Sequence, residues 1–255
     1  MPRHRGKFDP TRPEPYELSR SRIEEFVRCP ACFYMKQVEK IDFPSIPGFL
    51  LNEATDVLLK KHFDKYRQTQ ECPPYLIEQG YDHLVPFQHD NFELWTQSLH
   101  FGAADRMHTV VEEYNLKIGG GLDDVWQDTE TETLHIVDYK STSKEHIDGP
   151  RLLENFYAEA YKRQMDFYVW VMRRMGFEVS DTGYFLYVNG DRATETDFLQ
   201  SDKALMEFKV SLIPYKTNVE WIEPALAKIK ETLHLPSRPE HSEGCEQGKF
   251  LNDAI

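Results

Sequence analysis

Asp138 and Lys140 stand two residues apart at the end of an apolar run, Leu134-His135-Ile136-Val137, that predicts a buried strand. Residues i and i+2 of a strand point to the same face, so carboxylate and ammonium stand side by side. A carboxylate that can hold a divalent ion, beside an ammonium that can hold a water or a phosphate oxygen, is an arrangement for cleaving phosphodiesters. Alone the triplet is common, and its bland reading is a surface ion pair at a strand end. The neighbouring pattern adds to it. Residues 116–126 and 133–140 predict two strands joined by a polar turn over 128–132. A hairpin centred between Glu130 and Thr131 sets Asp123 opposite Asp138. Cross-strand neighbours have Cβ atoms roughly 4.5–5.5 Å apart, and two carboxylates at that distance repel unless a cation joins them. Mg²⁺ takes such oxygen ligands and keeps several waters.

These groups need elements to position them. Ser21-Arg22-Ile23-Glu24 is a capping-box pattern that predicts a helix over 21–29, stopped by Pro30. A second helix is expected over 50–67, with Leu51, Ala54 and Leu58 on one side and a polar stripe of Asn52, Asp56 and Lys60 at i, i+4 spacing. A long helix is expected over 154–175, ended by Gly176. Gln164 and Tyr168 share a face of it, polar among Tyr, Phe, Trp and Met, and are expected to face the sheet edge that carries Asp123 and Lys140. Further strands are expected over 107–114 and 183–188, and a last helix over 219–233. Gly119-Gly120-Gly121 predicts a bulge or bend, with room for a backbone or a DNA strand to come close. Strands followed by helices around one sheet give one α/β domain over residues 16–255, preceded by a flexible, proline-rich arm over 1–15.

The chain has 255 residues, 40% of them hydrophobic and 13% aromatic, enough for a real core. No apolar run reaches the roughly 20 residues of a membrane span, and no signal-peptide pattern opens the chain, so a cytoplasmic protein is expected. Four cysteines do not make a secreted disulfide framework. The net charge of −13 excludes a broadly basic, non-specific grip on nucleic acid. It leaves room for a cleft in which a cation and a few basic side chains offset phosphate charge.

Taken together, Leu18-Ser19-Arg20-Ser21 with Cys29-Pro30, Gly121-Leu122-Asp123, Asp138-Tyr139-Lys140 and Gln164-Met165-Asp166-Phe167-Tyr168 resemble the motifs of the PD-(D/E)XK nuclease superfamily. The resemblance is strongest to its RecB-like branch, which includes the exonucleases of CRISPR adaptation. It implies a restriction-endonuclease-like core, a mixed central β-sheet flanked by α-helices. It implies Asp123, Asp138 and the backbone carbonyl of Tyr139 as ligands of Mg²⁺ or Mn²⁺, with Lys140 positioning the attacking water and Gln164 and Tyr168 lining the DNA path. Related nucleases often carry a metal-binding His in a G-x-x-x-H pattern. Here Gly48 is followed by Asn52, so Asn52 or Glu53 is the candidate for an additional ligand, with Asp56 as a substitute.

Some relatives hold an iron–sulfur cluster with one Cys near the N-terminal helix and three near the C-terminus. Gly248 stands where one of those cysteines would be, so a cluster is not expected. Cys29, Cys32, His241 and Cys245 offer a Zn²⁺ set instead, with free thiols as the bland reading. The function expected from the whole is a divalent-metal-dependent deoxyribonuclease, an exonuclease rather than an endonuclease, acting on single strands, ends or flaps. The alternative is a nuclease-fold DNA-binding or scaffold protein with weak or no catalysis in a repair or recombination complex. An RNA-processing nuclease is a third class.

Overall fold

The computed structural model describes residues 4, 6–43, 48–97, 105–145, 149–154 and 157–253. Its elements run β1 (Tyr16–Ser19), α1 (Arg20–Arg28), α2 (Pro30–Tyr34), α3 (Leu50–Thr69), α4 (Pro74–Glu78), β2 (Leu84–Pro86), α5 (Phe92–Trp95), β3 (His108–Val111), β4 (Leu116–Gly119), β5 (Asp124–Asp128), β6 (Leu134–Thr142), α6 (Ala158–Arg174), β7 (Thr182–Gly190), β8 (Leu199–Gln200), β9 (Lys203–Ala204), β10 (Phe208–Lys216), α7 (Ile222–Leu233) and α8 (Glu246–Asp253). Five strands form one sheet in the order β10-β7-β6-β5-β2. β6 is its centre, antiparallel to β5 and parallel to β7. A smaller sheet, β1-β4-β3, joins the first sixth of the chain to its middle through a parallel β1–β4 pair. The expected mixed sheet flanked by helices is present.

The alternation along β6 explains where the polar groups point. Residues 134–139 are all buried, so both faces of the strand are covered. Leu134 and Ile136 pack with Met165, Phe167 and Phe185 in the cluster that α6 covers. Val137 and Tyr139 pack with Phe63, Leu76, Trp126 and Tyr184 in a second cluster beneath α3. A fully buried side chain of this size stabilises by roughly 1.5–3 kcal/mol, so the register of β6 is held from both sides. The same alternation turns Asp138 and Lys140 toward α6 and Tyr139 toward α3.

Four expectations are corrected. Residues 116–126 are not one strand. β4 pairs with β1 and β3 in the small sheet, and β5 begins only at Asp124 in the large one. The glycines between them permit the crossing. A Cβ on Gly119 would lie 2.2 Å from the Met107 carbonyl oxygen, and one on Gly120 would lie 3.1 Å from the Tyr168 ring. Second, Leu51, Ala54 and Leu58 do not make the packed side of α3, since all three are exposed. Phe63 and Arg67 are its buried residues, with Leu59 partly buried beside them. Third, the N-terminal arm is not free of the body. His4 and Phe8 are buried, and the Phe8 N–H donates to the Gln37 carbonyl at 2.7 Å. Fourth, the long helix begins at Ala158. Residues 1–3 and 5 of the arm, the loop at Pro44 and Pro47, and the end of the partly helical 87–99 stretch lie outside the described residues. Among the described residues, no helix is long and apolar enough to cross a membrane.

Candidate active site

The β5–β6 pairing sets Asp124 opposite Val137 and Val125 opposite Ile136, the register centred between Glu130 and Thr131. Beyond the last pair, the Asp123 carboxylate lies close enough to Asp138 for the two charges to repel. Asp123 lies just outside β5, and its Oδ2 accepts the Tyr139 N–H at 2.9 Å, a bond that ties it to the strand. Asp138 is 1% exposed; its Oδ2 pairs with the Lys140 ammonium, and its Oδ1 has no hydrogen-bond partner. A buried carboxylate oxygen left without a hydrogen bond is costly, and native structures seldom contain one without an ion or a water to answer it.

Burial and then the Asp138 charge raise the Asp123 carboxyl to about 6, against the pull of Lys140 and Lys60. The pair repels, so a divalent cation between them relieves both the burial and the repulsion. The donor set is hard oxygen, and Asp123 and Lys140 remain 20% and 14% exposed, so the pocket opens to solvent. These residues fit Mg²⁺ or Mn²⁺. Lys140 is held over the Tyr161 ring, 4.7 Å from its centroid, and its ammonium lies 3.4 Å from the Tyr139 carbonyl oxygen.

Below the pair sits a buried ionic layer that the sequence does not announce. The Asp124 carboxylate, 1% exposed, binds the Arg67 guanidinium and the Tyr139 hydroxyl at 2.5 Å each, and the Trp126 indole N–H at 3.2 Å. Arg67 also donates to the Phe87 carbonyl at 2.5 Å. Its charged form is favoured despite burial because of Asp124. This layer pins Tyr139, the residue between Asp138 and Lys140, to the α3 side of β6.

α6 supplies the opposite wall. Tyr168 is 4% exposed; burial raises its phenol to about 12, and Arg20 hydrogen-bonds its side chain. Gln164, one turn before it, is partly exposed. Tyr161 completes the stripe at 161, 164 and 168, a spacing visible in the sequence that marks one helical face. Glu24 of α1 receives Arg163 of α6 in a bidentate pair at 2.9 and 2.8 Å, which fixes α1 against this wall.

From α3 the site receives Lys60. Its ammonium lies 3.7 Å from Asp123 Oδ1 and 2.9 Å from Asp56. Burial lowers its pKa, but Asp123 and Asp56 outweigh that and raise it. Asn52 and Glu53 are not brought to the pair. Both are exposed, eight and seven residues before Lys60 on the same helix, roughly 10–12 Å along its axis. Lys60 was visible as the third member of the polar stripe. What the stripe could not show was which of its ends meets the sheet.

The family model of the PD-(D/E)XK nuclease superfamily matches residues 17–247. The chain belongs to the PD-(D/E)XK nuclease superfamily. Membership implies metal-dependent phosphodiesterase chemistry on nucleic acid, and Mg²⁺ or Mn²⁺ as the metal used in general by this superfamily's nucleases. No curated protein matches the chain. The Asp123 bond to the Tyr139 N–H and the Asp138–Lys140 ion pair bring the Asp123, Asp138 and Lys140 side chains to one end of β6.

A second cluster lies among the described residues. Cys29, Cys32, His241 and Cys245 place one donor atom each within 4.8 Å of one another, in a set that could hold Zn²⁺. Burial works to raise the Cys29 thiol, but N–H groups of Cys32 and Ser242 and the His241 ring outweigh it and bring it down to about 6. Burial and the neighbouring sulfurs of Cys245 and Cys29 push Cys32 well up. The four cysteines are free of disulfides.

Proposed function

We infer that this nuclease-fold chain is a divalent-metal-dependent deoxyribonuclease of the RecB-like branch that works from DNA ends. The observation that carries the reading is the buried Asp138 carboxylate, its Oδ2 on the Lys140 ammonium and its Oδ1 unpaired, set beside Asp123. Asp123, Asp138 and the Tyr139 carbonyl would hold Mg²⁺ or Mn²⁺, which supplies Lewis acidity and a lowered water pKa when bound. Lys140, restrained by Tyr161, would donate an N–H to the oxygen of the attacking water and offset the negative charge gathering on the phosphate. Lys60 adds a second ammonium at the same edge for a flanking phosphate. Gln164 and Arg20, both partly exposed, line the path of the strand, and the buried Tyr168 backs them. A preference for ends is supported by the net charge of −13, which gives little purchase on the side of a long duplex. A cytoplasmic site of action and DNA repair or recombination as the setting belong to the same reading.

The experiment compares linear and covalently closed circular DNA, single- and double-stranded, with Mg²⁺ and with Mn²⁺. The reading expects linear molecules to be degraded and circles to survive. Cleavage of circles at a similar rate would show an endonuclease. One observation favours a second reading, a DNA-binding scaffold with weak catalysis: α3 presents Asp123 with a lysine, whereas Asn52 and Glu53 lie away from it. That reading expects DNA binding with no cleavage of any of these substrates.

A further inference from the structure

Cys29 closes α1 and Cys32 lies in the first turn of α2, so a two-residue spacing across Pro30 turns both sulfurs to one side. His241 and Cys245 arrive more than 200 residues later, between α7 and α8. His241 Nδ1 lies 3.5 Å from Cys29 Sγ, 3.5 Å from Cys32 Sγ and 3.7 Å from Cys245 Sγ. Cys32 and Cys245 sulfurs are 3.5 Å apart. Zn–S bonds of ~2.3 Å and Zn–N bonds of ~2.0–2.1 Å give a tetrahedron with edges of roughly 3.5–3.8 Å; the four separations above match it, and all the donor atoms lie within 4.8 Å of one another.

The surroundings suit thiolates. The Ser242 N–H points at Cys29 Sγ and the Gly248 N–H at Cys245 Sγ, both at 3.4 Å. Hydrogen bonds of this kind hold ligand sulfurs in place around a metal. Gly248 has a second role. A Cβ there would lie 2.7 Å from His241 Cγ, so any side chain at 248 would displace the imidazole. The glycine that stands in place of a further cysteine is therefore what admits the histidine. An iron–sulfur cluster interposes sulfide-bridged irons between its thiolates and needs a wider cradle than one ion does.

We propose that Cys29, Cys32, His241 and Cys245 bind one structural Zn²⁺, which staples the C-terminal segment to the α1–α2 corner. Four protein ligands leave no open position, so this ion does no chemistry. Its effect on the nuclease site is positional. The staple anchors one end of α1, whose other end carries Arg20, the partner of Tyr168, and whose Glu24 grips Arg163 of α6.

Metal analysis of the purified full-length protein tests this. About one zinc per chain is expected, with iron and acid-labile sulfide at background. Cobalt(II) exchanged into the site should show the intense red-region absorption of tetrahedral coordination and a near-ultraviolet thiolate charge-transfer band. Cys245→Ser and Gly248→Ala should lose the zinc, whereas His241→Cys and Cys72→Ser should keep it, Cys72 lying outside the set. If Cys245→Ser fails to fold, release of zinc from the wild-type protein by a mercurial, titrated to three thiols per ion, decides the same point. Zinc at background, iron with sulfide, or full zinc retention in Cys245→Ser would each overturn the proposal.

Discussion

The two candidate metal centres of this chain are opposites in construction. The Asp123–Asp138 pair is assembled locally, by one hairpin whose members are 15 residues apart, and it is made of hard oxygen with a side open to solvent. The Cys29–Cys32–His241–Cys245 set is assembled globally, from two ends of the chain, and it is soft and closed. Oxygen ligands with room for water suit Mg²⁺ or Mn²⁺ and a reaction; three sulfurs and an imidazole suit Zn²⁺ and a fold. The difference teaches that ligand type and coordination openness, rather than mere presence of a metal-binding cluster, separate chemistry from scaffolding in one molecule.

The sharpest way to break the comparison is to disable one centre and watch the other. Lys140→Ala should reduce DNA cleavage by about 10³-fold or more, within the range for a positioned proton-handling group beside a charge-stabilising site. Its zinc content should stay near wild type, as metal analysis would show, while the metal-free variant should melt several degrees lower because the buried Asp138 loses its ammonium partner. A fall in zinc would mean that the two regions are not separable.

The converse change is expected to be large in stability and smaller in rate. Cys245→Ser should lower the melting temperature by about 10 °C, corresponding to a few kcal/mol at about 2–4 °C per kcal/mol for a chain of this size. Cleavage measured well below that temperature should fall only severalfold, through looser placement of Arg20 and Tyr168. Loss as complete as that of Lys140→Ala would place the cysteine cluster in the chemistry.

The pH dependence sharpens the picture further. Asp123 is raised to about 6, above its unfolded value of 3.8, so the metal-free folded state holds this proton more tightly than the unfolded chain does. Stability of the metal-free protein therefore declines as pH rises from about 4 to about 6. A divalent ion compensates the carboxylate only once it is ionised. The gain in melting temperature on adding Mg²⁺ should be near zero at pH 5 and reach its plateau of a few degrees above pH 7. A gain independent of pH would point to a site elsewhere.

How much of this could be read from the sequence depended on distance along the chain. The β5–β6 register follows from a period of two residues, and the structure has it over Asp124–Gln127 and Leu134–Val137. Arg67 and Asp124 are 57 residues apart, and nothing local in either marks a buried ion pair. β1 and β4 are likewise distant partners, so 116–126 read as one continuous strand although its halves belong to two sheets. On α3 the apolar side chains drew attention to the wrong face. Leu51 and Leu58 are 79% and 63% exposed, whereas an arginine and a lysine of the same helix meet the sheet. β10 lies outside the expected elements. Its Pro214 argues against a strand, yet it lies on the sheet's outer edge, where a missing N–H costs nothing.

The most direct test of the catalytic centre uses zinc-replete protein and end-labelled linear DNA, single-stranded, duplex and flapped, with Mg²⁺, with Mn²⁺ and with neither. The structure-based account predicts cleavage that requires the divalent ion and disappears in Asp138→Asn. No cleavage of any substrate by the wild-type protein, or undiminished cleavage by Asp138→Asn, would contradict it.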